Sequence, residues 1–188
     1  MEKKKNAFSY MVTLLLEWYK EANHKDDIQK CYSAFSKLSL LKLLFLASAI
    51  NTDIDGDGDD NHDLLDVFCN FKALPYGPVE SDIYNAIIEN KIPVFTIGDR
   101  AIWRNDIELS LPDQNLKERI EKSIEVLRAK NPNLINTAAF QLVDITHKWK
   151  SWSDAYSFAE FIGQKSIDMS PNEIRNDPHK YYGIDNLK

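Results

Sequence analysis

The stretch Leu74-Pro75-Tyr76-Gly77-Pro78-Val79 separates the apolar helical patterns before it from a mixed pattern after it. The prolines and the glycine cannot lie inside a regular element, because proline lacks the backbone N–H donor and has a fixed φ. Gly77 precedes a proline and is pushed towards an extended conformation. Pro78 suits the first turn of a helix, where its missing donor would be unpaired anyway. We therefore predict a sharp entry into a helix over residues 78–90.

The composition is that of a globular protein. The chain has 188 residues, 44% of them apolar, and a net charge of −6. This length fits one domain with a substantial core. We predict one helical domain over residues 1–175, followed by a loose polar tail over residues 176–188. The negative charge disfavours an extended nucleic-acid surface, which requires a basic footprint.

The amino-terminal region resembles a signal peptide only superficially. A lysine-rich start is followed by an apolar run over residues 7–16, but charged residues follow from Glu17 onward without a small-residue cleavage site. No apolar run is long enough to span a bilayer. The two cysteines, Cys31 and Cys69, do not form a disulfide framework. We therefore predict a cytoplasmic protein without a membrane partner.

The periodicity of apolar residues predicts the fold class. Residues 38–50 leave almost no polar face, as expected for a buried helix. β-branched and aromatic residues flank a glycine-containing turn within residues 92–104. We predict a mainly α fold: a compact multi-helix domain around a buried central helix at about residues 38–50, with one small β-hairpin at about residues 92–104. Further helices are predicted over residues 6–22 and 136–147, and from Ser110, Ser151 and Ser170.

Residues 51–62 form an acidic loop that partly matches a calcium-binding loop. Counting from Asp53, the early ligand positions are matched, but Leu64 stands at the twelfth position, where a bidentate glutamate is required. A solvated acidic turn is the favoured interpretation. The alternative is a weak calcium site with the ligands Asp53, Asp55, Asp57 and Asp59.

Motifs that carry catalysis are missing from the sequence. It contains neither a phosphate-cradling glycine loop nor a G-x-S-x-G motif. His147 lies near the end of a predicted helix, where an imidazole interacts favourably with the last carbonyl groups. We predict that the chain is not an enzyme and has no cofactor and no metal centre.

Three motifs, at distant positions, carry a resemblance to a known family. They are Lys42-Leu43-Leu44-Phe45, then Tyr76-Gly77-Pro78-Val79 with Tyr84 behind it, then Thr146-His147 with Trp152 and Ala155. In this combination the chain resembles the Panacea family of SocA-like, antitoxin-associated proteins, also called phage-associated proteins. The resemblance extends from about Ser36 to Ile174. It implies an all-α domain that neutralises a toxin encoded beside it.

The resemblance makes the toxin protein the expected partner. Neutralisation would occur by direct binding, either occluding the toxin or presenting it, as an adaptor, to a protease. A rigid turn presents side chains at low entropic cost, which suits recognition. A buried turn that only joins two core helices is the equally weighted alternative. The predicted partner-binding residues are Tyr76, Gly77, Pro78, Val79, Tyr84, His147 and Trp152.

A second hypothesis is a DNA-binding autoregulator of a toxin–antitoxin or prophage operon. It requires a basic recognition helix, and residues 117–130 are the best candidate. Acidic residues alternate with the basic ones there, as on a solvated helix face. Nucleic acid is therefore the less favoured partner. An enzyme dependent on His147 and a calcium-responsive module are the remaining hypotheses.

Overall fold

Helices dominate the computed structural model, which describes residues 1–27, 31–51, 63–104 and 108–184. The mainly α prediction is confirmed for this part of the chain. The helices are α1 (Glu2–Ala22), α2 (Lys37–Ser48), α3 (Ser81–Ile88), α4 (Gln114–Lys130), α5 (Ala139–His147), α6 (Lys150–Phe161) and α7 (Pro171–Arg175), with a 3₁₀ turn at Leu134–Asn136.

Two small antiparallel sheets accompany the helices. The strands are β1 (Phe71–Leu74), β2 (Gly77–Glu80), β3 (Phe95–Ile97), β4 (Ala101–Trp103) and β5 (Ile167–Asp168). Strands β3 and β4 form the hairpin that was predicted within residues 92–104. The other sheet has the order β2-β1-β5. It joins the middle of the chain to its carboxyl-terminal region.

Helix α2 has almost no contact with solvent. Every side chain from Ser39 to Ser48 is buried, as expected for a helix that is apolar on all sides. Ser36 and Ser39 form a reciprocal capping box at its start, which satisfies two backbone N–H groups. The helix contacts α1, α4, α5 and β2. The elements that carry the three motifs quoted above therefore meet around α2.

The prediction of a helix over residues 78–90 is wrong at its start. Gly77–Glu80 is strand β2, which pairs with β1, and Pro75-Tyr76 is the two-residue turn between them. Proline is tolerated in β2 because this strand lies at the edge of the sheet. Helix α3 begins only at Ser81, where the side chain of Glu80 accepts a hydrogen bond from the Ile83 N–H. Strand β1, just before the turn, has no counterpart among the predicted elements.

One other predicted helix start also needs correction. Helix α4 begins at Gln114 and is capped by Asp113, so Ser110 and the proline after it lie outside the helix. The predicted start at Ser170 is confirmed: Ser170 precedes the first turn of α7 and Pro171 lies within it, although the Ser170 side chain makes no capping hydrogen bond.

The expectation of a loose tail after Asn176 is wrong for the residues that the structure describes. Tyr181 and Ile184 are buried in the core. Asp177 accepts a hydrogen bond from the Ser151 N–H at the start of α6. Asn131 donates to the Ile184 carbonyl over 2.6 Å. Apolar side chains at intervals in a polar segment anchor it to the domain, although its composition resembles that of a solvated end.

No helix in the described ranges combines the length and apolar character needed to cross a bilayer.

Candidate functional site

The three family-like motifs meet at one place, where α2, β2 and α5 pack together. We call Lys42, Gly77, Pro78 and Thr146 the motif junction. The Lys42 amine donates a 2.7 Å hydrogen bond to the Pro78 carbonyl. A Cβ atom on Gly77 would lie 2.6 Å from Thr146 Oγ1 and 2.9 Å from Lys42 Nζ. Gly77 also has a φ of +91°, which L side chains rarely adopt. Both the lack of space and the positive φ therefore require glycine at position 77.

Lys42 carries a buried amine without an acidic partner. Its side chain is 0% exposed, and it makes no ion pair among the described residues. Burial lowers the pKa of the Lys42 amine to about 7, because a low-dielectric environment disfavours the charged form. The Pro78 carbonyl is the acceptor that makes burial of this amine tolerable. The amine therefore ties α2 to β2 at the point where β2 leaves the turn.

An aromatic stack lies beside the motif junction. The His147 ring stacks on Trp152 with centroids 3.8 Å apart and planes 5° apart. Trp152 stacks in turn on Tyr156 at 5.3 Å. We call these three residues the aromatic column. The indole N–H of Trp152 donates to the Leu74 carbonyl at 3.1 Å. The column therefore joins α5 and α6 to the end of β1, next to the hairpin turn.

The surroundings of His147 disfavour the charged form of its imidazole. Burial lowers the pKa of its imidazole, and the nearby Lys42 charge lowers it further. The Nε2 atom is buried and has no hydrogen-bond partner among the described residues. No described hydrogen bond links the ring to a nucleophile. These surroundings suit a stacking role, since general acid–base catalysis would require reach to a reacting group.

Two exposed aromatic side chains project beyond this buried framework. Tyr76, in the hairpin turn, is 63% exposed, and Phe140, in the first turn of α5, is 68% exposed. Their rings meet edge to face with centroids 6.5 Å apart. We call this pair the aromatic tip. Apolar rings held in solvent on fixed backbone are typical of protein interfaces.

The structure separates the predicted partner-binding residues into two groups. Gly77, Pro78, Val79 and Trp152 are buried, and His147 is half-buried. Of these, Gly77, Pro78, His147 and Trp152 lie at or beside the motif junction, and the exposed Tyr76 adjoins them.

Tyr84 lies elsewhere, on α3. The Lys37 amine is 5.5 Å from the centroid of its ring. No ring contact joins Tyr84 to the aromatic column or the aromatic tip within the described residues.

Sequence reasoning missed two contributors to this site. Lys42 could have been recognised as a lysine enclosed by apolar residues in a helix without a polar face. Phe140 lies in the predicted helix over residues 136–147, where a large apolar side chain favours burial, yet it is exposed. The alternative calcium ligands Asp53, Asp55, Asp57 and Asp59 lie outside the described residues.

The comparison with protein families covers the three motifs except for Ala155. A family model described as antitoxin SocA-like, Panacea domain, matches residues 40–153. This range contains the motif junction, the aromatic tip and two members of the aromatic column. No curated protein and no solved structure matches the chain.

Alanine substitutions at three glycines should separate backbone strain from steric overlap. Gly77→Ala should lower the free energy of unfolding by about 3 kcal/mol or more, because strain and overlap add. Gly163→Ala should cost about 1 kcal/mol, because Gly163 has a φ of +72° but open space around it. Gly98→Ala, with neither constraint, should stay within about 0.5 kcal/mol. Urea denaturation measures all three. Equal losses at Gly77 and Gly163 would contradict the packing at the motif junction.

Lys42 should make stability depend on pH. The folded pKa of about 7 lies below the ordinary value of 10.5, so unfolding takes up a proton between these values. Stability should therefore rise with pH across this window, with a slope approaching about 1.4 kcal/mol per pH unit. Below the window both states are protonated, and this contribution is constant. The Lys42→Met variant should lack it, and urea denaturation over the pH window measures the difference. Parallel curves for both proteins would show that Lys42 titrates normally.

Proposed function

The chain belongs to the family of SocA-like antitoxins with a Panacea domain, and we propose that it neutralises a toxin encoded beside it by binding that toxin directly. The match over residues 40–153 is the observation that carries this proposal. The toxin is the partner that such an antitoxin requires. We propose a binding role without catalysis, in keeping with the stacking of the His147 ring on Trp152.

The aromatic tip is the part of the proposed interface nearest to the motifs. Tyr76 is carried by a two-residue turn whose strands are paired in register, so its backbone is already ordered before binding. The turn is held from behind by the Lys42 hydrogen bond and by Trp152. Preorganised aromatic side chains lose little entropy on association and are common at energetic hot spots. Buried motif residues would thus support recognition that exposed residues carry out.

The charges on α4 support protein binding over DNA binding. Arg119 pairs with Asp66, and Arg128 pairs with Glu21 across 2.7 Å. Lys117 lies 3.6 Å from the Glu121 carboxylate. DNA binding requires cations that are free to neutralise phosphates and release counterions. The intramolecular partners on this helix leave a mixed-charge face.

Co-expression with the neighbouring open reading frame tests the proposal. That frame should stop bacterial growth when expressed alone, and this chain should restore growth. The double variant Tyr76→Ala, Phe140→Ala should weaken toxin binding by about 2 kcal/mol or more, roughly thirtyfold in Kd, because two anchor rings are removed. Calorimetry with purified toxin measures the change.

The matched control is Ile102→Ala, which removes a side chain that is 60% exposed on β4. It should bind toxin as tightly as the unmodified chain. Failure of the chain to rescue growth would refute the antitoxin role. Equal binding by the double variant and the control would show that the interface lies away from the aromatic tip. Rescue that disappears only in protease-deficient hosts would identify adaptor action, whereas rescue that persists there would identify occlusion.

A further inference from the structure

A groove of about 650 Å³ lies between α6, β5, α7 and the segment that follows α7. Its apolar wall is formed by Ala155, Phe158 and Ile167. Phe158 is 52% exposed, although it is a large apolar side chain on a regular helix. The groove therefore offers apolar surface that the described part of the fold leaves uncovered.

Negative charge surrounds this apolar wall. Four carboxylates and one amine line the groove. The amine belongs to Lys150, and the carboxylates belong to Asp154, Asp168, Glu173 and Asp177. Lys150 pairs with Asp154, and Lys72, outside the groove, pairs with Asp168. Even when both ion pairs are counted, four carboxylates face only two amines. Glu173 makes no ion pair among the described residues. The groove thus keeps an excess of negative charge.

A buried polar group in the groove also lacks a partner. Ser151 is 9% exposed and lines the groove, and its hydroxyl makes no hydrogen bond within the described residues. Unsatisfied buried hydroxyl groups are uncommon, since each loses its hydration without compensation. The wall of the groove therefore contains one polar atom that the described residues leave unsatisfied.

Strand β5 borders the same groove and is the last strand of its sheet. An edge strand presents backbone N–H and C=O groups that can pair with an added extended segment. The acidic side chains do not favour a metal ion instead: no set of three or more acidic, histidine or cysteine side chains among the described residues is arranged to hold one. The occupant that fits is an extended peptide.

We propose that this groove binds an extended segment of the toxin in which an arginine alternates with apolar residues. This proposal rests on the antitoxin function proposed above. The apolar side chains would cover Phe158 and Ile167, and the backbone would extend the sheet from β5. The guanidinium would pair with the carboxylates of Asp168 and Glu173. Arginine suits the groove better than lysine, because its planar group pairs with carboxylates in a bidentate manner and stacks on aromatic rings.

Helix α6 connects this groove to the aromatic tip. Trp152 and Tyr156 belong to the aromatic column, which reaches the hairpin turn, whereas Ala155 and Phe158 face the groove. One partner could therefore contact both surfaces, with the aromatic tip contributing apolar anchors and the groove contributing charge complementarity. Complementary charges would add specificity and raise the association rate.

Charge reversal in the full-length chain tests the proposal. The double variant Asp168→Lys, Glu173→Lys should bind the toxin about tenfold more weakly or worse, and the loss should shrink at high salt. The matched control, Glu118→Lys, Glu125→Lys, makes the same change in net charge on exposed positions of α4. It should keep the affinity of the unmodified chain. Circular dichroism checks that both variants fold.

A second probe separates failure of the groove from failure of the antitoxin function. A capped synthetic peptide of alternating arginine and valine should bind the unmodified chain, and a peptide with glutamate in place of arginine should not. The Asp168→Lys, Glu173→Lys variant should bind the arginine peptide about tenfold more weakly. This arm decides the proposal even when the neighbouring gene product is harmless.

Three results would overturn the proposal. One is equal toxin affinity for the groove variant and the α4 control, with growth rescue intact, which would leave the antitoxin function standing. Another is equal binding of the two peptides. The third is a sedimentation result in which the unmodified chain self-associates and the groove variant is monomeric. The occupant of the groove would then be a second copy of the chain.

Discussion

The hydrogen bond from the buried Lys42 amine to the Pro78 carbonyl is the constraint on which the candidate site depends. A lysine with no exposed surface needs an acceptor, and the edge strand β2 supplies one. The approach is close enough that Gly77 cannot carry a side chain without displacing Lys42 or Thr146. Segments separated by about a hundred residues in the chain are thereby held against one another.

Buried and exposed residues have different roles in this arrangement. Gly77, Pro78 and Trp152 set the position of the hairpin turn, and Tyr76 and Phe140 project from it into solvent. Recognition surfaces on rigid elements avoid the entropic cost of ordering a loop on binding. In this chain, the exposed positions include an acidic groove along the other side of α6.

The helices were predictable from sequence because apolar spacing is a local signal. The β3–β4 hairpin was predictable for the same reason, since its strands flank one glycine-containing turn. The β2-β1-β5 sheet was not, because Ala73 pairs with Ile167 and nothing local reveals that contact. The same proline and glycine pattern fits both a helix entry and a hairpin turn; packing against Lys42 favours the turn. The motifs in the sequence identified the buried residues of the candidate site. Phe140 and the groove were not identified, because the exposure of a side chain depends on tertiary packing.

Hydrogen–deuterium exchange of the chain with and without its toxin tests the central claim most directly. We expect α2 to exchange slowly in both states, because it is already buried. Binding should slow exchange in the turn around Tyr76, in the first turn of α5, and in β5 and α7. Exchange in α1 and in the β3–β4 hairpin should not change. Protection confined to α1 and β3–β4 would contradict the account, because recognition would then occur away from the surface that the motif residues support.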